Sequence, residues 1–182
     1  MDEHIPVLLN ESVSLLEVKK NGTYVDLTFG RGGHSSLILS LLGEKGKLIA
    51  FDLDKDAIAF GTNKFKDDER ITFVHSSFAF LKEELEKRGI TKVDGIIADL
   101  GVSSPQLDNP ERGFSYRFDA PLDMRMNQDS KLSAYEVVNS YPKEKLEKIL
   151  FEYGEEKDSK RIVRSILKRR EIAPIKTTFE LV

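Results

Sequence analysis

The chain has 182 residues, with 28 Lys and Arg against 31 Asp and Glu, a formal net charge of −3, and no cysteine. That length allows one well-cored domain, or one domain and part of a second. The acidic balance excludes nucleic-acid binding by global electrostatics, so such contact must come from a local patch. The missing cysteine excludes disulfides, cysteine-ligated zinc and thiol nucleophiles, and fits a reducing, cytoplasmic setting. No apolar run approaches membrane-spanning length, and residues 1–4 do not read as a cationic signal segment.

The chain opens with His4-Ile5-Pro6-Val7-Leu8-Leu9-Asn10-Glu11. Pro6 forces an extended entry, and a short helix is predicted over 12–18. Two readings stay open for His4, Pro6 and Glu11: an apolar arm over the core, or the mouth of an active site. Next comes Tyr24-Val25-Asp26-Leu27-Thr28-Phe29-Gly30-Arg31-Gly32-Gly33-His34-Ser35, the organising stretch. It predicts a buried strand over 23–28, a tight glycine loop, and a helix opening on Ser35. Glycines there permit positive φ and close approach by a ligand, while the helix start turns unpaired N–H groups toward the loop. An acid followed by small residues at alternate positions (Asp26, Thr28, Gly30, Gly32) resembles the first motif of S-adenosylmethionine-dependent methyltransferases. On this stretch alone, a dinucleotide loop or a plain glycine turn remains open.

Lys47–Asp52 is a continuous apolar run ending in a carboxylate, as expected of a parallel strand buried on both faces. Asp52 lies about twenty residues beyond the loop, where a ribose-binding acid sits in nucleotide-binding βαβ units. Asp54 or Asp56 is the expected cap of the following helix, around 57–65. A third strand covers 71–75, with His75 read as a packed strand-end residue. Phe78 follows at the position where methyltransferases stack the adenine, core filling being the alternative. The next helix runs through Phe80, Leu81 and Leu85 to a stop at Gly89. A fourth strand over 93–100 ends near Asp99, so acids at 26, 52 and 99 close three successive parallel strands. Strand C-termini form the ligand edge of an open α/β sheet.

Beyond Gln106 the strand–helix alternation stops. Residues 109–127 read as a long loop, and such loops are functional or disordered; its aromatic and methionine anchors, with charges of both signs, argue for an ordered, functional one. Ser133 and Glu136 form a predicted capping box. Leu146, Ile149, Leu150 and Tyr153 recur at helical spacing before Gly154. A further helix turns Ile162, Val163, Ile166 and Leu167 inward. Seven of the fourteen residues from Lys157 to Arg170 are basic. These form a solvated face or contact RNA phosphates. Thr177 and Glu180 read as a capping box opening a turn that nothing supports, and only four strands are present. Together these imply the N-terminal portion of a longer protein.

Taken together, the chain resembles the ribosomal small-subunit RNA methyltransferase H family, also called MraW. The resemblance rests on His4-x-Pro6-Val7-Leu8-Leu9-x-Glu11, the Asp26–Ser35 stretch, Asp99-Leu100-Gly101-Val102-Ser103-Ser104-Pro105-Gln106-Leu107-Asp108, Arg112-Gly113-Phe114-Ser115, Asp119-x-Pro121-Leu122-Asp123-Met124-Arg125-Met126, and Tyr153-Gly154-Glu155-Glu156. It implies an α/β Rossmann-like class I methyltransferase sheet with an all-helical domain inserted after strand four. The cofactor-binding core would be 1–108, and 109–182 the connecting loop and incomplete helical insertion. It also implies S-adenosylmethionine as cofactor, no metal, and N4 methylation of a decoding-centre cytidine in 16S rRNA of the small ribosomal subunit. The partner is then rRNA rather than membrane, with a homodimer one open oligomeric state.

Carried onto this sequence, the cofactor site is Gly32, Gly33, His34, Asp52, Phe78, Asp99 and Gln106, and the 112–126 loop and inserted helices face RNA. Asp99 is the candidate catalytic acceptor. The sequence Asp99-Leu100-Gly101-Val102 departs from the Asp/Asn-Pro-Pro-aromatic motif common in amino-directed methyltransferases. Two alternatives are a non-catalytic fragment that binds RNA or a partner, and a nicotinamide-dependent Rossmann oxidoreductase.

Overall fold

The computed structural model describes residues 6–182, and His4 lies outside them. Two compact units are present, 1–103 and 104–182. In chain order the first contains α1 (Leu9–Leu15), β1 (Thr23–Asp26), α2 (Gly33–Leu41), β2 (Lys47–Asp52), α3 (Lys55–Lys64), β3 (Ile71–His75), α4 (Leu81–Glu86) and β4 (Gly95–Ile97). The second contains α5 (Ser104–Asp108), α6 (Ala134–Ser140), α7 (Lys143–Lys148), α8 (Ser159–Ile172) and α9 (Thr178–Leu181). No described helix is long and apolar enough to cross a membrane.

The four strands form one parallel sheet in the order β3-β2-β1-β4. Successive residues along β1 and β2 supply two separate cores, one per face. Tyr24, Leu48 and Ala50 pack with Val13, Phe29, Ile38 and Leu39 on one side. Val25, Ile49, Phe51 and Val74 pack with Leu81 and Leu85 on the other. Burial on both faces is why these strands read as unbroken apolar runs.

Several boundaries differ from expectation, each for a local reason. The first strand stops at Asp26, not Thr28, because the Thr28 N–H turns back onto the Asp26 carboxylate at 3.0 Å. The fourth keeps only Gly95–Ile97 of the expected 93–100. Beyond it, the Asp99 N–H donates to the Thr28 hydroxyl at 2.7 Å rather than to a neighbouring strand. The first helix covers Leu9–Leu15 rather than 12–18, with Glu17 in the left-handed region at φ 48° just after it. The second opens at Gly33, not Ser35, because Gly32 takes a left-handed N-cap conformation at φ 73°. Asp54, not Asp56, caps α3, its carboxylate accepting the Asp56 N–H at 3.0 Å.

In the second unit Leu122, Val138, Leu146, Val163, Ile166 and Ile175 form the core. Glu136 accepts the Ser133 N–H at 3.0 Å and also its hydroxyl, as the capping box predicted. Residues 109–127 are tied down. The Arg112 guanidinium is buried and donates to the Arg125 and Met126 carbonyls at 3.0 and 3.2 Å. Gly113 sits at φ 68° with the Pro121 carbonyl 2.3 Å from where a Cβ would stand, so no other residue fits that crossing. The turn at Thr177 is not unsupported, as its sequence suggested. Thr178 is buried, donating its N–H to the Ala120 carbonyl and its hydroxyl to that of Phe118, at 2.8 and 2.7 Å. Asn139 clamps both backbone groups of Ile175 at 2.8 Å.

Candidate cofactor site

The sheet order places β1 between β2 and β4, so strand order reverses at β1. Ligands of open α/β sheets bind at that crevice, outside the strand C-termini. Asp26 and Asp52 end adjacent strands there, and Asp99 follows the third by two residues. The acids at 26, 52 and 99 therefore share one edge of the sheet.

Their roles differ. Asp26 is 2% exposed; one oxygen accepts the Thr28 N–H at 3.0 Å and the other the Ser35 hydroxyl at 2.7 Å. Burial pushes its carboxyl above the ordinary range, against the opposing pull of those two hydrogen bonds. It holds the strand end, the loop and α2 in one geometry. Asp52 performs the same service across strands: its oxygens accept the Gly30 N–H and the Asp54 N–H, both at 2.8 Å. It stays half-buried rather than enclosed, and burial raises its carboxyl as well. Each Asp52 oxygen keeps a further lone pair for a ligand. Asp99 is exposed, its backbone fixed by Thr28.

Gly32 is where the loop needs glycine most. Its φ is 73°, and a Cβ there would stand 2.7 Å from the Phe29 ring. That ring is itself fixed edge-on against Phe73, with centroids 5.0 Å apart. Pro6 lies over Gly33, so the N-terminal arm touches the start of α2; of the two readings of Pro6, the loop side gains a contact. No side chain caps α2. His34 is buried on its first turn, and its Nε2 has no hydrogen-bond partner. Phe78 opens a 3₁₀ turn just after β3 and is 42% exposed, so it does not fill the core. His75 is exposed rather than packed, tethered through Nε2 to the Leu53 carbonyl at 2.9 Å. Gln106 is buried on α5, in the second unit. Among the described residues no group of three His, Asp or Glu is placed to hold a metal ion.

Sequence reasoning missed two participants, Thr28 and Ser35 as hydrogen-bonding side chains. The alternation of small residues marked both positions but not their partners.

A parallel sheet reversing at its first strand, with a glycine turn and strand-end carboxylates at that reversal, defines a Rossmann-like α/β fold of the class I methyltransferase kind. The chain belongs to the MraW methylase family, whose model matches residues 1–182. Among solved structures, it is similar to a proposed rRNA-methylase from Clostridium thermocellum (30% identity, 44% of this chain and 48% of that one, TM-score 0.39). It is also similar to an rRNA methylase from Streptococcus thermophilus (24% identity, 44% and 46%, TM-score 0.38). A third is a SAM-dependent O-methyltransferase from Thermotoga maritima (18% identity, 55% and 38%, TM-score 0.44). The match spans about half the length of the first two proteins.

Proposed function

We propose that this chain is the cofactor-binding part of an S-adenosylmethionine-dependent methyltransferase acting on N4 of a cytidine in the decoding centre of 16S rRNA. The observation that carries the reading is the glycine turn between Asp26 and Asp52 at the sheet reversal, in a chain of the MraW methylase family. Three features fit an adenosyl amino acid at that turn. The first turn of α2 lacks a side-chain cap, leaving N–H groups for an anionic or polar ligand. The buried His34 Nε2 lacks a partner, and such atoms in native proteins call for an unseen one. The Asp52 carboxylate retains acceptor capacity for two ribose hydroxyls.

On this reading Gly32, Gly33, His34 and Asp52 hold the methionine and ribose portions. Phe78 lies by the adenine and Asp99 completes the site within the first unit, while Gln106 is a candidate on the second unit. When bound, the cofactor supplies an electrophilic sulfonium methyl group. The chain's task is then to position and activate the amine. The lone pair of cytosine N4 is delocalised into its ring, so an acceptor for one N4 proton localises it and relieves charge in the transition state. Asp99, exposed and carried on a backbone pinned by Thr28, is the carboxylate suited to that acceptor role. The base must leave its stack to reach it. Residues 1–108 supply the cofactor site, and 109–182 begin a helical insertion that faces RNA.

Calorimetric titration tests the cofactor assignment. S-adenosylmethionine should bind the wild-type chain, NAD should not, and Asp52→Ala should abolish binding. Unchanged binding in Asp52→Ala would overturn it. Mass spectrometry of 16S rRNA incubated with protein and cofactor tests the target; a methyl group elsewhere than cytosine N4 refutes that part alone.

A further inference from the structure

α8 presents three faces. Val163 and Ile166 are buried in the core of the second unit. Arg161, Ser165 and Arg169 border a cavity of about 540 Å³. The remaining face carries Lys160, Arg164 and Lys168, all exposed and spaced four residues apart. Four residues rise roughly 6 Å along a helix and return to nearly the same side, so the three cations stand in one row.

The charges around this row differ from those on several other helices. Three exposed lysines elsewhere pair with an acid four residues on: Lys82 with Glu86, Lys143 with Glu147, and Lys148 with Glu152. Within α8, Arg161 is held by Asp158 at 2.7 Å and Arg170 donates to the Val138 carbonyl at 2.8 Å. Among the described residues, Lys160, Arg164 and Lys168 have neither an ion pair nor a side-chain hydrogen bond. No acid occurs between Ser159 and Arg170, and neither Glu156, four residues before Lys160, nor Glu171, three beyond Lys168, forms an ion pair with the row. Like charges at four-residue spacing destabilise a helix, so the row is maintained against local cost in a chain of net charge −3. A solvated face would not require that.

Unpaired cations in a regular row suit a polyanion with regularly repeated charge. An interfacial membrane helix is disfavoured, because it needs its apolar face free for lipid and that face of α8 is buried in the core. We propose that the Lys160–Arg164–Lys168 row docks the sugar–phosphate backbone of RNA, without reading its sequence. The inference rests on the rRNA-methylation reading for the identity of the polyanion. Contacts of this kind position a substrate and leave base selection to other groups.

The test is fluorescence anisotropy of a labelled, mixed-sequence single-stranded RNA binding to the full chain, across a potassium chloride series. The triple variant Lys160→Ala/Arg164→Ala/Lys168→Ala should bind more weakly. Its slope of log affinity against log salt should be shallower by about 2, since each single-strand phosphate contact contributes about 0.7. Arg164→Gln alone should remove about 0.7. Lys160→Arg/Lys168→Arg should keep the wild-type slope, and S-adenosylmethionine affinity should be unchanged throughout. A wild-type slope in the triple variant overturns the proposal. So does a triple-dependent loss of binding to phosphatidylserine vesicles while RNA binding is untouched. Failure of wild-type chain to bind S-adenosylmethionine would strike the methyltransferase reading and leave the RNA slopes to be judged alone.

Discussion

Asp52 has two tasks that pull on its proton in the same direction. Its oxygens already accept the Gly30 and Asp54 N–H groups, yet burial outweighs those bonds and raises its carboxyl above the ordinary range. A raised folded-state pKa means that ionising Asp52 costs folding stability as pH climbs from the unfolded value through the folded one. A ribose whose hydroxyls donate to Asp52 needs the ionised form. Cofactor affinity should therefore be greatest above the raised pKa and decline as pH falls through it. Asp52→Asn, which offers one acceptor oxygen instead of two, should bind more weakly and lose that slope. Calorimetry across the acid range checks this, and an identical slope in Asp52→Asn would assign the titration elsewhere. At this scale the sequence shows which positions carry acids, glycines and small residues. It does not show that Asp26 is enclosed and occupied by Ser35 and Thr28 while Asp99 is exposed, because the bond from the Asp99 N–H to Thr28 spans 71 positions. Adjacency of β1 and β4 creates it.

Helices and strands were legible where local chemistry set them. Lys47–Asp52 and Ile71–His75 coincide with their expected bounds, since both lie in apolar runs closed by turn residues. The α3 start is equally local. Asp54 is 5% exposed and accepts the Asp56 N–H, and caps of this type contribute about 1 kcal/mol. Asp54→Ala should accordingly lower stability by about 1 kcal/mol in urea unfolding, with Asp54→Ser recovering most of it. Asp56→Ala, on the exposed first turn, should change far less. The long 109–127 segment was legible as an ordered loop from its aromatic and methionine anchors, but the contacts that order it were not. Its order comes from Arg112 bonding the carbonyls of Arg125 and Met126, and from residues 118–122 pairing with 176–178. No periodicity announces either. That burial also revises one expectation: Arg112 is spent inside its own loop, so a polyanion meeting this segment would meet Arg117 or the exposed Tyr116 instead.

Across the whole chain, two compact units separate most of the candidate cofactor residues from the basic row of α8. The candidate cofactor residues at 32, 33, 34, 52, 78 and 99 lie in 1–103, and Gln106 and the unpaired basic row lie in 104–182. The division predicts where a ligand registers. Anything that binds only the folded state stabilises it by RT ln(1 + [L]/Kd), about 2.7 kcal/mol when the ligand stands at 100 times its Kd. Amides of β1 and β2 lie in the centre of the sheet, and those that exchange only by complete unfolding of their unit report that increment directly. S-adenosylmethionine at 100 times its Kd should slow their hydrogen exchange about 100-fold. In Asp52→Ala at the same concentration they should exchange as without ligand. Mixed-sequence RNA should instead protect peptides from α8, and should do so in wild-type protein but not in the triple variant. Protection of β1 and β2 that survives Asp52→Ala would move the adenosyl site away from the sheet reversal, while leaving the family assignment intact.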